Sequence, residues 1–305
     1  MVCRYGIVIP ALIILLLGGM SAVGEAAGFE KLTLASTAYR NDSPVETIKG
    51  SRTLVVRSAS ALVADQQTGQ PLYQKQAEAV VPIASITKLM TAMVVLDSQT
   101  DLQEMITIEP EDVDTLRHSG SHLPVRTCLK REETLLLALM ASENRAAHAL
   151  GRTHPGGLKT FVAAMNAKAG SLGLTDTHFE EPTGLSSGNV SSARDLARMV
   201  DAAHGYPLIR EFTTRDEAMI RSGRHTLGFR NINRLIRNPR WQIGLSKTGF
   251  ISEAGSCLVM QARVAQRQVL IVLLDAQGKL TRFADANRIK QWLEGPPPAQ
   301  RKRSS

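Results

Sequence analysis

Strand-like patterning occurs at both ends of this chain and helix-like patterning fills its middle. Near the start, residues 61–65 are apolar, 66–69 have turn character and 70–75 resume an extended pattern. Near the end, three extended runs follow Trp241, at 242–251, 255–264 and 268–275. The last of them contains the unbroken apolar stretch Val269-Leu-Ile-Val-Leu-Leu274. Their connections are short and polar, so the three should form an antiparallel meander. Between these groups the period changes. After Pro82, the residues Ile83, Ile86, Leu89, Met90, Met93, Val94 and Leu96 recur at three- and four-residue spacing, which predicts a largely buried helix. Further helices are predicted over 132–140, from about residue 145, and over 157–172. Another opens at the capping-box pattern Ser192-Ala-Arg-Asp195. A last helix, 281–294, has Phe283, Ala286 and Ile289 in its apolar stripe. Strands at both ends of a chain usually join one sheet, so the helices at about 82–240 should form an inserted all-helical subdomain of an α+β fold.

The flanks have a different character. Residues 1–24 carry one charge, Arg4, then an apolar run at 7–17, then mostly small residues, which is the order of a secretory signal peptide, although the uncharged stretch 5–24 is also just long enough for a retained membrane anchor. Cys3 precedes the apolar run, so it is not the lipid-modified cysteine that follows one. Residues 25–57 read as a flexible leader, and 295–305, with Pro296-Pro-Pro298 and Arg301-Lys-Arg303, as a basic disordered tail. The folded unit is then 58–294. Hydrophobic residues make up 43% of the chain, enough for a sizeable core. Seven Phe, four Tyr and two Trp against 36 Lys and Arg do not suit a base-stacking nucleic-acid platform. The net charge of +8 fits an anionic partner of some kind. After signal removal only Cys128 and Cys257 remain, too few for a disulfide scaffold, and no sequence rule pairs them.

Three short motifs carry chemistry. Ser85-Ile-Thr-Lys88 falls in the first turn of the helix after Pro82, where a spacing of three puts both side chains on one face. A neutral lysine amine there could take the serine proton. Ser142-Glu-Asn144 lies at a break between helices and offers a hydroxyl for proton relay and an amide to bind a peptide group. The same residues would also serve as a helix cap. Lys247-Thr-Gly249 lies within an apolar strand. There the lysine could hold a carboxylate, could depress the pKa of Lys88 by like-charge repulsion, or could be an edge-strand charge. The glycine would let a ligand backbone approach.

In this order and in these settings, the three match the signature of penicillin-binding proteins and class A β-lactamases. The chain resembles the low-molecular-mass penicillin-binding proteins that act as D-alanyl-D-alanine peptidases, and within them the endopeptidase group of the penicillin-binding protein 7 type. The residues carrying the closer likeness are Pro82-Ile-Ala-Ser-Ile-Thr-Lys-Leu-Met-Thr-Ala-Met-Val-Val-Leu-Asp97, Leu135-Leu-Leu-Ala-Leu-Met-Ala-Ser-Glu-Asn-Arg-Ala-Ala147, Glu181-Pro-Thr-Gly-Leu185, Ser246-Lys-Thr-Gly-Phe250 and Phe283-Ala-Asp-Ala286. The resemblance spans roughly 58–294. It implies a serine β-lactamase/DD-peptidase-like fold, with a five-stranded antiparallel sheet, flanking helices and an inserted helical subdomain. It implies Ser85 as acyl-enzyme nucleophile, Lys88 as general base and Ser142 as proton relay. Asn144 would bind the substrate peptide, Lys247 and Thr248 would hold a carboxylate, Gly249 would admit the ligand, and the N–H groups of Ser85 and Phe250 would form the oxyanion hole.

The expected activity is a serine D-Ala-D-Ala peptidase acting on peptidoglycan stem peptides in the periplasm, without cofactor or metal. β-Lactams would be covalent inhibitors, nucleic acid is not expected as a partner, and loose association with the membrane or cell wall is. Cleavage of D-Ala–diaminopimelate cross-links is favoured over removal of terminal D-Ala. Many carboxypeptidases of this kind continue into a second β-domain and an amphipathic anchor, for which this chain leaves no room. A β-lactamase would need an added glutamate for deacylation, and Glu180-Glu-Pro-Thr-Gly-Leu185 lacks the Glu-x-x-Leu-Asn pattern. A non-catalytic wall binder would not need every motif side chain. A metallopeptidase is disfavoured because His118 and His122 lie in a Gly/Ser loop without a Glu between them.

Overall fold

The computed structural model describes residues 54–222 and 225–295. The signal segment 1–24, nearly all of the leader and the basic tail lie outside the described residues.

In chain order the strands are β1 (Ser60–Asp65), β2 (Pro71–Lys75), β3 (Val81–Pro82), β4 (Met105–Thr107), β5 (Cys128–Lys130), β6 (Val190–Ser191), β7 (Glu217–Ser222), β8 (His225–Arg230), β9 (Gln242–Ile251), β10 (Gly255–Val264) and β11 (Arg267–Ala276). The α-helices are α1 (Lys88–Asp97), α2 (Arg131–Met140), α3 (Asn144–Arg152), α4 (Gly157–Ser171), α5 (Ala193–His204), α6 (Pro207–Thr214) and α7 (Thr281–Glu294).

One five-stranded sheet, ordered β2-β1-β11-β10-β9, is built from both ends of the chain. Every pairing is antiparallel, and β1 meets β11 with Val63 opposite Ile271. The apolar run of β11 has no polar alternation because both faces of the sheet are covered. Leu270, Val272 and Leu274 pack with the helices that follow β2, whereas Val269, Ile271 and Leu273 pack with α7 and Trp241. The alternation in β1 is the same, with Leu62 and Ala64 on the first face and Ala61 and Val63 on the second.

The segment between β2 and β9 is mostly helical but not the all-helical subdomain expected, since it also holds the short strands β3–β8. At its centre α1 is buried from Lys88 through Val95 and packed against α3, α4 and α5. Helix α2 starts with Glu132 and Glu133 in its first turn, where they complement the helix dipole. At the start of α5 the Ser192 hydroxyl accepts from the Asp195 N–H at 3.2 Å, the cap that the sequence pattern promised.

Three features depart from the sequence expectation. The predicted helix after Pro82 begins as a tight 3-10 turn over Ala84–Thr87 before α1. The helix α6 and the ribbons β7–β8 and β4–β5 had no sequence signal strong enough to place them. The fold also starts before residue 58, since Leu54 and Val56 are buried against the α7 side of the sheet. The backbone there is fixed by Asp285, which accepts from the Ser58 N–H at 2.8 Å and the Arg57 N–H at 3.0 Å.

Candidate active site

The turn Ala84–Thr87 brings Ser85 and Lys88 within 2.8 Å, Nζ to Oγ. Lys88 is wholly buried, and its Nζ also donates to Asn144 Oδ1 at 2.8 Å and to the Thr183 carbonyl at 2.6 Å. An ammonium has three protons and no lone pair, so these three acceptors use all of its donors. On losing one proton, the amine can keep both carbonyl-type acceptors and turn its lone pair toward the Ser85 hydroxyl. Burial pushes Lys88 down to about 7, against the opposing pull of the Glu181 and Glu143 carboxylates. A base with that value is substantially neutral at physiological pH, which proton abstraction requires.

Across from this pair, Lys247 on β9 donates to Ser142 Oγ at 2.8 Å and to the Thr248 carbonyl at 3.0 Å. It is also buried, and its ammonium is held well below the usual lysine range, by burial first and then by the Lys88 and Arg282 cations. The sequence left open that Lys247 could depress Lys88 by like-charge repulsion. In the structure burial is what lowers Lys88, and the charged groups acting on it, Glu181 and Glu143, pull the other way. Ser142 has φ +58°, a left-handed conformation that a non-glycine residue adopts at a cost of about 1 kcal/mol. This kink ends α2 and turns the chain so that Ser142 faces Lys247 while Asn144, the first residue of α3, faces Lys88.

The motif segments lie very close together. A Cβ on Gly249 would sit 2.9 Å from the Ile83 carbonyl oxygen and 3.0 Å from the Ser85 nitrogen. Only a glycine lets the β9 edge approach Ser85 this closely. Gly184, at φ +84°, lies on the other side, where a Cβ would be 2.0 Å from the Ala84 carbonyl oxygen.

The structure thus brings Ser85, Lys88, Ser142, Asn144, Lys247, Thr248 and Gly249 together, and Phe250 follows on the same strand with its side chain 58% exposed. It also adds residues that sequence reasoning did not assign. Arg282 of α7 is buried and donates to the Gly249 carbonyl at 2.6 Å and the Cys257 carbonyl at 3.1 Å, fixing the site strand from behind. The loop 113–123 backs the Ser-Glu-Asn turn. Ser119 Oγ accepts from Asn144 Nδ2 at 2.9 Å and donates to Asp114 at 2.6 Å, and Ser121 Oγ donates to Glu143 at 2.6 Å. Arg117 pairs with Glu253 at 2.9 Å, linking the same loop to the β9–β10 turn. These contacts are long-range and carry no local pattern, apart from a charged Arg282 beside the apolar stripe of α7.

His118 and His122 lie exposed in that loop, as expected of solvated residues, and His148 is paired with Asp112 at 2.7 Å. Among the described residues no group of three or more His, Cys, Asp or Glu could hold a metal ion. Cys257 is buried with a free thiol, which burial raises to about 11, so it does not pair with Cys128.

The profile of the Peptidase_S11 family, described as D-alanyl-D-alanine carboxypeptidase, matches residues 47–278. A D-alanyl-D-alanine endopeptidase of Pseudomonas aeruginosa is 52% identical over 239 residues, covering 78% of this chain and 77% of the relative. One from Escherichia coli is 46% identical over 241 residues, covering 78% of each. A D-alanyl-D-alanine carboxypeptidase of Bacillus subtilis is 30% identical, covering 86% of this chain and 67% of the relative. Among solved structures, the Streptomyces K15 DD-transpeptidase superposes with a TM-score of 0.73 at 26% identity, over 78% of this chain and 97% of that one.

Proposed function

This chain belongs to the Peptidase_S11 family and is a serine DD-peptidase, and from that premise we propose that it opens D-Ala–diaminopimelate cross-links between peptidoglycan stem peptides through an acyl-enzyme on Ser85. The observation that carries the mechanism is the buried Lys88, 2.8 Å from Ser85, with two further acceptors that aim its lone pair. In this reading Lys88 takes the Ser85 proton as Oγ attacks the D-Ala carbonyl carbon. The oxyanion is received by the N–H groups of Ser85 and Phe250. Ser142 delivers a proton to the leaving amine, and the acyl bond to Ser85 is then hydrolysed by water. Asn144 holds the peptide group of the acyl donor. Lys247 and Thr248 hold the carboxylate beside the scissile bond, with Gly249 giving the room.

Endopeptidase action is favoured by the 52% and 46% identity to proteins named D-alanyl-D-alanine endopeptidase, against about 30% for those named carboxypeptidase. The carboxypeptidase reading stays second because the leaving residue has a free α-carboxylate in both reactions, so one Lys247 clamp serves both. β-Lactam hydrolysis is disfavoured by Glu181, whose two oxygens are occupied by donors of its own loop rather than free to activate water. Penicillin should therefore acylate the enzyme and stay bound. A peptidoglycan substrate supports a periplasmic location, for which residues 1–24 read as the export signal. Purified cross-linked muropeptide dimers and monomeric pentapeptides, digested and read by mass spectrometry, test the specificity. Conversion of dimers to monomers is expected. Loss of terminal D-Ala from pentapeptide with dimers intact would reject the endopeptidase assignment.

A further inference from the structure

We propose that Glu181 is a positioning residue for the acylation step. One carboxylate shapes the loop that aims Lys88 at Ser85, and its charge sets the pH range in which Lys88 works. The inference rests on the reading of Lys88 as general base.

Glu181 belongs to none of the three catalytic motifs. Its two oxygens accept from five donors, all on the loop that follows it. Oε2 takes the Thr183 N–H at 2.6 Å and the Thr183 hydroxyl at 2.5 Å. Oε1 takes the Gly184 N–H at 2.6 Å, the Ser186 N–H at 3.2 Å and Asn189 Nδ2 at 3.1 Å. Charge-assisted bonds to successive backbone amides fix peptide orientation strongly. Here they fix the Thr183 peptide with its carbonyl on Lys88 Nζ at 2.6 Å. The neighbouring Pro182 carbonyl accepts from the Thr91 hydroxyl, also on α1, at 2.6 Å. The loop is thus docked on α1 through two carbonyls, and Gly184 rests on the peptide just before Ser85.

The Thr183 carbonyl is one of only two acceptors left to Lys88 once it has given up the proton facing Ser85. Without it the amine is held by Asn144 alone and can rotate its lone pair off the hydroxyl. General-base catalysis depends on that aim before it depends on pKa.

The second effect is electrostatic. The charged groups facing Lys88 are Glu143 from the α2–α3 turn, Lys247 from β9 with Arg282 of α7 behind it, and Glu181 from this loop. Glu143 is itself engaged by Ser121 and the His122 N–H. Glu181 is the larger of the two carboxylate influences that oppose the burial of Lys88. Removing its charge lets Lys88 lose its proton at lower pH, so the active neutral amine persists further into acid.

The test measures the rate of acylation by a fluorescent penicillin between about pH 5.5 and 9 for the wild type, Glu181→Gln, Glu181→Asp and Asn189→Ala. In Glu181→Gln the absolute rate should fall, while the ratio of the rate at pH 6 to that at pH 8 rises roughly fivefold, as a one-unit downward move of the acid limb gives. Glu181→Asp keeps the charge, and Asn189→Ala loosens the same loop, removing one donor to the carboxylate but leaving its charge in place. Both should lose rate while holding the wild-type ratio within about twofold. An unchanged ratio in Glu181→Gln, or an equal shift in Asn189→Ala, overturns the proposal. Should Glu181→Gln fail to fold, the other two still decide, because a shifted ratio in either contradicts it. A wild-type profile that is flat across pH 6 to 8 is a different result, and it would sink the role of Lys88 itself.

Discussion

Lys88 and Lys247 are both buried, the first bonded to Ser85 and the second to Ser142. A buried ammonium costs stability unless it is well bonded. For Lys88 the sign follows from its two values, about 7 folded and 10.5 unfolded. Between them the unfolded chain binds the extra proton, so this group makes the protein more stable as pH rises from 7, and gives no slope below 7. Lys88→Met removes the effect. From pH 7 to 9 the wild type should gain on the order of 2 kcal/mol relative to that variant, read by denaturant unfolding at each pH. No relative gain would mean that Lys88 is not held near neutrality. The same variant should lose acylation by about 10²- to 10⁴-fold, the usual worth of a general base. The side chains that the structure brings together here, Ser85, Lys88, Ser142, Asn144 and Lys247, were legible in the sequence because they are identified by side-chain type and short spacing. Glu181 and Arg282 were not, because each acts on a backbone carbonyl or amide rather than on a motif side chain. The Thr183 carbonyl meets Lys88 from 95 residues away, and the Gly249 carbonyl meets Arg282 across 33.

At the scale of elements, the proposed mechanism requires that β9 lie closely against the turn that carries Ser85. Gly249→Ala places a methyl 2.9 Å from the Ile83 carbonyl oxygen, so β9 must move by a few tenths of an ångström or more. Stability should fall by about 1–3 kcal/mol. Acylation should fall further, by up to about 100-fold, since misplacement of the reacting groups is costly. Thermal unfolding and penicillin-labelling rates measure the two. Equal labelling in the variant would show that the close contact does not matter. The strands β9 and β10 and the helix α7 begin and end where their patterns predicted. Their boundaries are sharp because the chain changes direction there at Glu253, Gln266 and the 277–280 turn, between long apolar runs. The opening of α1 was not legible. Ala84 is left-handed, φ +49°, with Gly184 and Gly249 packed around it, and apolar spacing alone cannot report such long-range contacts.

At the scale of the molecule, the sheet can close only when both ends of the chain have met. Its central strand, β11, lies between β1 and β10, and β1 precedes the whole helical subdomain. Amide protons of β1 and β11 should therefore exchange together, at the rate of global unfolding, and far more slowly than those of the two-stranded β7–β8 ribbon. Earlier exchange of β1 than of β11 would mean that the β2–β1 side of the sheet opens on its own. The net charge of +8 has a consequence of its own. Binding to isolated anionic cell wall should weaken as salt is added, and salt-independent binding in a sedimentation assay would remove charge from the account. The sheet and the helices bring Ser85, Lys88 and Lys247, residues from distant parts of the chain, together, and the proposed function makes that arrangement one site for acyl transfer. That claim is tested most directly by intact-protein mass spectrometry after exposure to benzylpenicillin, followed by peptide mapping. One stable penicilloyl adduct on Ser85 is expected, absent from Ser85→Ala. An adduct on another residue, or labelling retained in Ser85→Ala, would contradict it.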